Sequence, residues 1–292
     1  MKQTLPSLVW TSGMAVIASL LVFPGGVVAQ EPPPVAVLAP NPDGQKLVAN
    51  AARRVFQEPS LEAKVRHRVD LLGHELFGTG LYQQLGAGPD KLVRFEMKTQ
   101  LDDQTVTLQQ ISGERFFWIR KDLPQGKKKL SRVSLWQFRE GVKKIEATNP
   151  LHASQCWLLL GGLSRLLEEL NRGYTFGPPQ AGELGSVPVW VLTGEAKPEL
   201  RARLDIPVER KTPQFPVQVV LTLGRDNILP LFPYRVEYQR TNKSGVLEPL
   251  MTMELYEVRR RNDLDPRSFE YNPGDQEVED ITRPFLLRLG IQ

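Results

Sequence analysis

The chain has 292 residues, 41% of them hydrophobic and 24% charged, and a formal net charge of +4. This is ordinary globular composition, enough for one large domain or two small ones. The charge is too small and too dispersed for a nucleic-acid binder, and the single cysteine, Cys156, excludes an internal disulfide and a cysteine metal site.

At the N-terminus, Lys2 precedes an apolar run, Met14 to Phe23, followed by Pro24-Gly25-Gly26-Val27-Val28-Ala29. Val27 and Ala29 suit the small-residue positions of a signal peptidase site, so residues 1–29 are expected to be a signal peptide cleaved after Ala29. The alternative, an uncleaved anchor, fits less well, because a spanning helix needs about 20 apolar residues. Export to a periplasm or to the extracellular space is therefore expected. Residues 30–42, rich in proline, read as a linker, and 43–292 as one domain.

Asp43 can cap a helix to Gln57, with Leu47, Ala51 and Val55 on one face, and Pro59 stops it. From Leu61 the period changes to two: Val65, His67, Val69 and Leu71 share one strand face, Arg66, Arg68 and Asp70 the other. Gly73, Gly78 and Gly80 are expected to break the next segment as bends or bulges. Val93, Phe95, Met97 and Thr99 alternate with charged residues, Asp102-Asp103 turn the chain, and Val106 and Leu108 continue the inner face as a hairpin. Residues 115–120 are apolar on both faces and should be a central strand covered twice. A short apolar piece at Val133–Phe138 leads to a short helix ending near Ala147.

Residues 152–172 read as one central helix, with Cys156, Leu159, Leu160, Leu163, Leu166, Leu167 and Leu170 on an apolar stripe. Trp157 and Leu158 lie off that stripe, and Gly161-Gly162 sit mid-helix at about 1 kcal/mol each against alanine. Two readings stay open: an ordinary core helix, or a mobile lid over a hydrophobic cavity that yields at the glycine pair. Strands follow at 187–193, 217–223, 234–240 and 246–258, with one helical turn at 199–204 and an irregular 211–216 loop. In the tail, Phe269, Tyr271, Ile281, Phe285 and Leu286 can pack down. The fold class expected is α+β: one curved, unclosed antiparallel sheet, a half-barrel, with helices over its concave face.

Catalytic and metal motifs fail one by one. His74-Glu75 begins like a zinc-protease motif, but residue 78 is glycine. Ser164 lacks a nucleophile elbow, Gly78-Thr79-Gly80 lacks the last glycine of a dinucleotide loop, and Asp102-Asp103 is turn chemistry. His67 fits a hydrogen-bonded core histidine better than a ligand. No enzyme activity, cofactor or metal is expected. The basic runs Lys127-Lys128-Lys129 and Arg259-Arg260-Arg261 read as solvated turns, leaving contact with an anionic membrane surface open.

Several stretches carry a family likeness: Leu61-Glu62-Ala63-Lys64-Val65, the glycine-broken Gly73–Tyr82 segment, the hairpin at 92–111, and the C-terminal set Tyr256-Glu257-Val258, Asn262, Leu264-Asp265, Phe269 and Tyr271-Asn272-Pro273. The pattern resembles the outer-membrane lipoprotein carrier (LolA-like) family and related secreted lipid-binding proteins. The resemblance implies an unclosed, strongly curved sheet closed by helices and a role in carrying acyl chains across an aqueous compartment.

The expected function is thus an exported, monomeric binding protein for a lipid or lipidated protein. Trp157, Leu160, Leu163 and Leu167 from the helix, with Phe95, Met97, Leu108 and Trp118 from the sheet, are the expected cavity lining. The alternative is a non-catalytic envelope interaction module with a filled core.

Overall fold

The computed structural model describes residues 42–71, 74–101, 103–146, 156–203, 215–242 and 244–291. The expected signal peptide, the linker to Asn41, residues 152–155 of the expected central helix and most of the 211–216 loop lie outside them. Among the described residues, thirteen strands form one sheet in the order β13-β6-β5-β4-β3-β2-β1-β12-β11-β10-β9-β7, with β8 also on β9. The ladders are antiparallel except for β13 beside β6, and the two ends of the series do not pair, so the sheet is unclosed.

The first helix, α1 (Pro42–Gln57), begins at a proline, which the first helical turn tolerates because its N–H has no intrahelical acceptor. Its buried side is Val48, Ala51, Ala52 and Val55. Strand β1 (Ser60–Leu71) buries Leu61, Ala63, Val65 and His67 and exposes Lys64, Arg66 and Arg68. Those basic side chains pair with Glu257, Glu254 and Glu75 of its two neighbours, the solvated face of a half-buried strand.

The glycines of β2 (His74–Leu85) do not break it. Its register with β1 runs unshifted from Ser60↔Leu85 to Leu71↔His74. The physical reason is close approach: a Cβ on Gly80 would stand 2.0 Å from the Glu96 carbonyl oxygen on β3 (Leu92–Leu101), and one on Gly78 2.8 Å from Met97 Sδ. Bare positions let the curved sheet fold tightly there.

Strands β3 and β4 (Gln104–Ser112) form the expected hairpin, with Leu101 opposite Gln104. Strand β5 (Phe116–Asp122) is covered on both faces, although it lies near one edge of the sheet rather than at its centre. Phe117 and Ile119 enter the main core, while Trp118 joins Ile111, Leu130 and Phe269 in a separate cluster on the opposite face. Strand β6 (Lys128–Ser134) runs directly into α2 (Leu135–Glu146).

The second half holds α3 (Leu163–Gly173), β7 (Tyr174–Phe176), β8 (Gln180–Leu184), β9 (Val187–Ala196), α4 (Pro198–Arg203), β10 (Gln218–Gly224), β11 (Pro233–Thr241) and β12 (Leu247–Arg259). The tail packs down as expected and also contributes β13 (Glu279–Asp280) and α5 (Thr282–Arg288). Two hydrogen bonds fix it: Ile281 N donates to the Arg132 carbonyl oxygen (3.0 Å) and Ser134 N to the Thr282 side-chain Oγ1 (2.9 Å). Helix α5 closes over β6, placing Phe285, Leu289 and Ile291 in the main core.

Candidate functional site: the concave face

The described part of residues 152–172 is not one helix. Cys156–Leu160 make a single helical turn, then Gly161 (φ 123°) and Gly162 (φ 70°) reverse the chain before α3 starts at Leu163. Gly162 N donates back to Trp157 O (2.8 Å), the long-range bond with which glycine ends a helix. The glycine pair is therefore a fixed corner, because both residues occupy backbone conformations that L side chains rarely adopt.

Tyr82 holds this corner. Its Oη accepts from Leu163 N (3.2 Å) and donates to Gln84 Oε1 (3.0 Å), satisfying one of the free N–H groups at the start of α3. Burial raises the Tyr82 phenol pKa well above its ordinary value, so it remains a donor. The Trp157 ring stacks on Tyr82 (6.4 Å) and meets Phe95 edge-on (6.2 Å).

Helix α3 also packs along α1. Gln45 ties the two together: its Nε2 donates to Asn171 O (2.6 Å), and Phe176 N donates to its Oε1 (3.1 Å). On α3, Arg165 and Glu169 form a buried ion pair at 2.7 Å. Burial, and then the Glu169 charge, push the Cys156 thiol up to about 12 and raise the Tyr238 phenol. Cys156 is accordingly an inert apolar side chain.

The expected lining residues separate into three groups. Phe95, Met97, Trp157, Leu163 and Leu167 are buried together in the main core. Leu108 and Leu160 pack against it but remain partly exposed. Trp118 does not join them: it faces the other side of the sheet, where it meets Phe116 (5.7 Å) and Tyr271 (5.4 Å). A strand apolar on both faces does not disclose from its sequence which face is concave, so the spacing alone cannot separate Trp118 from Phe117 and Ile119.

Across the sheet the inward residues form rows. One runs Gln110–Phe95–Tyr82–Ala63, the next Leu108–Met97–Gly80–Val65–Leu255, the next Val106–Thr99–Gly78–His67–Met253. Exposure rises along this series. Phe95 and Tyr82 are 1% exposed, whereas Leu108, Val106, Thr99 and, one row further, Val69 and Leu76 are partly open. On β9–β12, Leu192, Val219, Leu221, Val236 and Met253 are buried, while Trp190 and Tyr238 of the same face are partly exposed. The concave face thus has a filled end under α3 and a partly open apolar end on β1–β4.

His67 stands at that boundary. It is 8% exposed, its Nε2 has no hydrogen-bond partner, and burial lowers its pKa to about 4. The hydrogen-bonded core histidine expected for this position is therefore not found at Nε2. Sequence reading also missed Tyr82, whose only signal was its place in the inward phase two residues beyond Gly80.

A separate groove of about 350 Å³ lies on the outer side of α1 and α3, lined by Ala49, Ala52, Arg53, Phe56, Glu168, Asn171 and Arg172, and contains none of the expected lining residues. Arg259, Arg260 and Arg261 are all ion-paired, with Glu62, Glu58 and Asp263, so they do not form a free basic patch. No group of three or more histidine, cysteine or acidic side chains is placed to hold a metal among the described residues.

No family model matches this chain, and no curated protein matches it. Among solved structures it is similar to a DUF1329 family protein from Desulfovibrio piger, at 14% identity over 80% of this chain and 98% of that one, with a TM-score of 0.33. It is also similar to LprF from Mycobacterium bovis, at 9% identity over 78% and 98%, with a TM-score of 0.39. A third is a putative outer membrane lipoprotein-sorting protein domain from Vibrio parahaemolyticus, at 13% identity over 78% of this chain and 96% of that one, with a TM-score of 0.31.

Proposed function

We propose that this chain is an exported binding protein for a lipid, or for the acyl group of a lipidated partner, held on the open end of the concave sheet. The observation that carries the reading is the set of inward apolar side chains left partly exposed, Leu108, Val106, Val69 and Leu76, spread over successive rows beside the buried Met97 and Phe95. Such a surface takes up an alkyl chain by area burial: at about 0.8 kcal/mol per methylene, eight methylenes give about 6 kcal/mol before the costs of association. In this reading α3 is a fixed wall rather than a moving lid, since Tyr82 and α1 hold it in place. The N-terminal apolar run supports export.

One observation favours the second reading, a non-catalytic interaction module with a filled core. Phe95, Leu163 and Leu167 are 0–1% exposed, which leaves no water-sized space beside them. Native mass spectrometry of the protein exported with its own leader, followed by solvent extraction, separates the two. A discrete excess mass extracting as lipid supports the binding protein. Apo protein that also refuses added fatty acid and lipopeptide refutes it.

A further inference from the structure

Next to the open apolar end, the sheet places two lysines where an inward face ordinarily carries apolar residues. On β5, Phe117 and Ile119 point into the core, so Lys121, two residues on, shares their face. On β6, Val133 points inward, so Lys129, four residues earlier, does too. The register sets Lys121 directly opposite both Leu108 and Lys129. The inward row is therefore Lys129–Lys121–Leu108–Met97, two cations leading straight into the apolar track.

Like charges directly opposite on a sheet destabilise it. Among the described residues no ion pair joins Lys121 or Lys129 to an acid; Glu279 is the one acidic group felt at Lys121. Arg288, from α5 packed on β6, adds a third positive charge within electrostatic reach. Burial, then Lys129 and Arg288, lower the Lys121 ammonium to about 8, so the strain falls on a half-buried cation. The turn that creates this opposition, Pro124–Gly126, is tight, with Gln125 at φ 63°. An arrangement of this kind is stabilised by an anion.

We infer that Lys121 and Lys129, with Arg288 at the rim, bind the anionic headgroup of an acyl lipid whose chain lies along Leu108 and Met97. The inference rests on the binding reading above and narrows it to phosphorylated or otherwise anionic amphiphiles. Two features fit this occupant: the cations adjoin the apolar row without a break, and among the described residues the ion pairs of this edge, Arg120–Asp122 and Arg132–Asp280, engage neither lysine.

The test is calorimetric titration of the mature protein with dodecyl phosphate, with neutral dodecyl maltoside, and with inorganic phosphate. The expected result is dodecyl phosphate binding at least about tenfold tighter than the maltoside, a selectivity lost in K121M/K129M, in which the two amphiphiles bind alike. Inorganic phosphate is expected to bind far more weakly than dodecyl phosphate. Methionine keeps the aliphatic stem and removes the repulsion, so the variant is expected to unfold at a higher temperature than the parent. Lys129→Gln, at an exposed position, is the second variant and is expected to lose part of the selectivity. Equal affinity of the parent for both amphiphiles overturns the headgroup site while leaving the binding reading standing. Inorganic phosphate binding as tightly as dodecyl phosphate overturns the lipid source in favour of a free anion. Failure of both amphiphiles to bind overturns the binding reading and this inference together.

Discussion

Replacing Gly162 by alanine tests the corner that orders the concave face. Alanine at φ 70° costs roughly 1–2 kcal/mol of backbone strain. Its Cβ would also stand 2.3 Å from Tyr82 Oη, so the phenol must move. Moving it breaks the hydrogen bonds to Leu163 N and Gln84 Oε1 in a fully buried setting, at about 1–3 kcal/mol for each group left unsatisfied. The expected total is about 3–8 kcal/mol of lost stability by urea or thermal unfolding. Gly161→Ala has its nearest neighbour at 3.6 Å, so only the backbone term, about 1–2 kcal/mol, is expected. In a Tyr82→Phe background the hydroxyl is gone, and the Gly162→Ala penalty should shrink by about 2–6 kcal/mol. A glycine inside a continuous helix behaves in the opposite sense, since alanine there stabilises by about 1 kcal/mol. A stabilising Gly162→Ala, or a penalty unchanged by Tyr82→Phe, refutes the fixed corner.

Three further outcomes are expected. His67 has a folded pKa of about 4 against an ordinary 6.5, so the unfolded chain takes up the proton first as pH falls. The stability tied to its neutral form is therefore complete above about pH 6.5 and lost progressively towards pH 4, by about 3 kcal/mol, and the difference between parent and His67→Leu across that window measures it. Gln45→Ala strips the link between α1, α3 and β7 and leaves Phe176 N without its acceptor; a loss of about 2 kcal/mol in denaturant unfolding checks it. Trp118→Ala destabilises by about 3–5 kcal/mol through the cluster with Ile111 and Phe269, yet leaves lipid retention by the folded protein unchanged.

The strands with clean alternation were legible from sequence. In β1 and the β3–β4 hairpin, polar and apolar residues alternate over many positions, and a period of two leaves one way to face a core. The segment 152–172 reads as one helix from sequence because its leucines keep helical spacing on either side of Gly161-Gly162. What breaks the helix is the conformation of two glycines and a hydroxyl 81 positions away, neither of which spacing encodes. Gly78 and Gly80 looked like interruptions of β2, but they mark where β3 comes too near for a side chain. In the tail, β13 and α5 are too short to show a period, and bonds to Arg132 and Ser134 place them. The opposition of Lys121 and Lys129 needs the β5–β6 register, which depends on one tight turn.

The most direct test of acyl binding on the concave face uses tryptophan fluorescence with a fatty acid brominated along its chain. Two proteins are compared, one keeping Trp157 and the other Trp118, with the remaining tryptophans of the mature chain changed to phenylalanine. The account predicts saturable quenching of Trp157, which packs beside Phe95 on the concave side, and none of Trp118, which lies on the opposite face. Quenching of Trp118 alone, or of neither ring at concentrations that saturate added lipid, contradicts it.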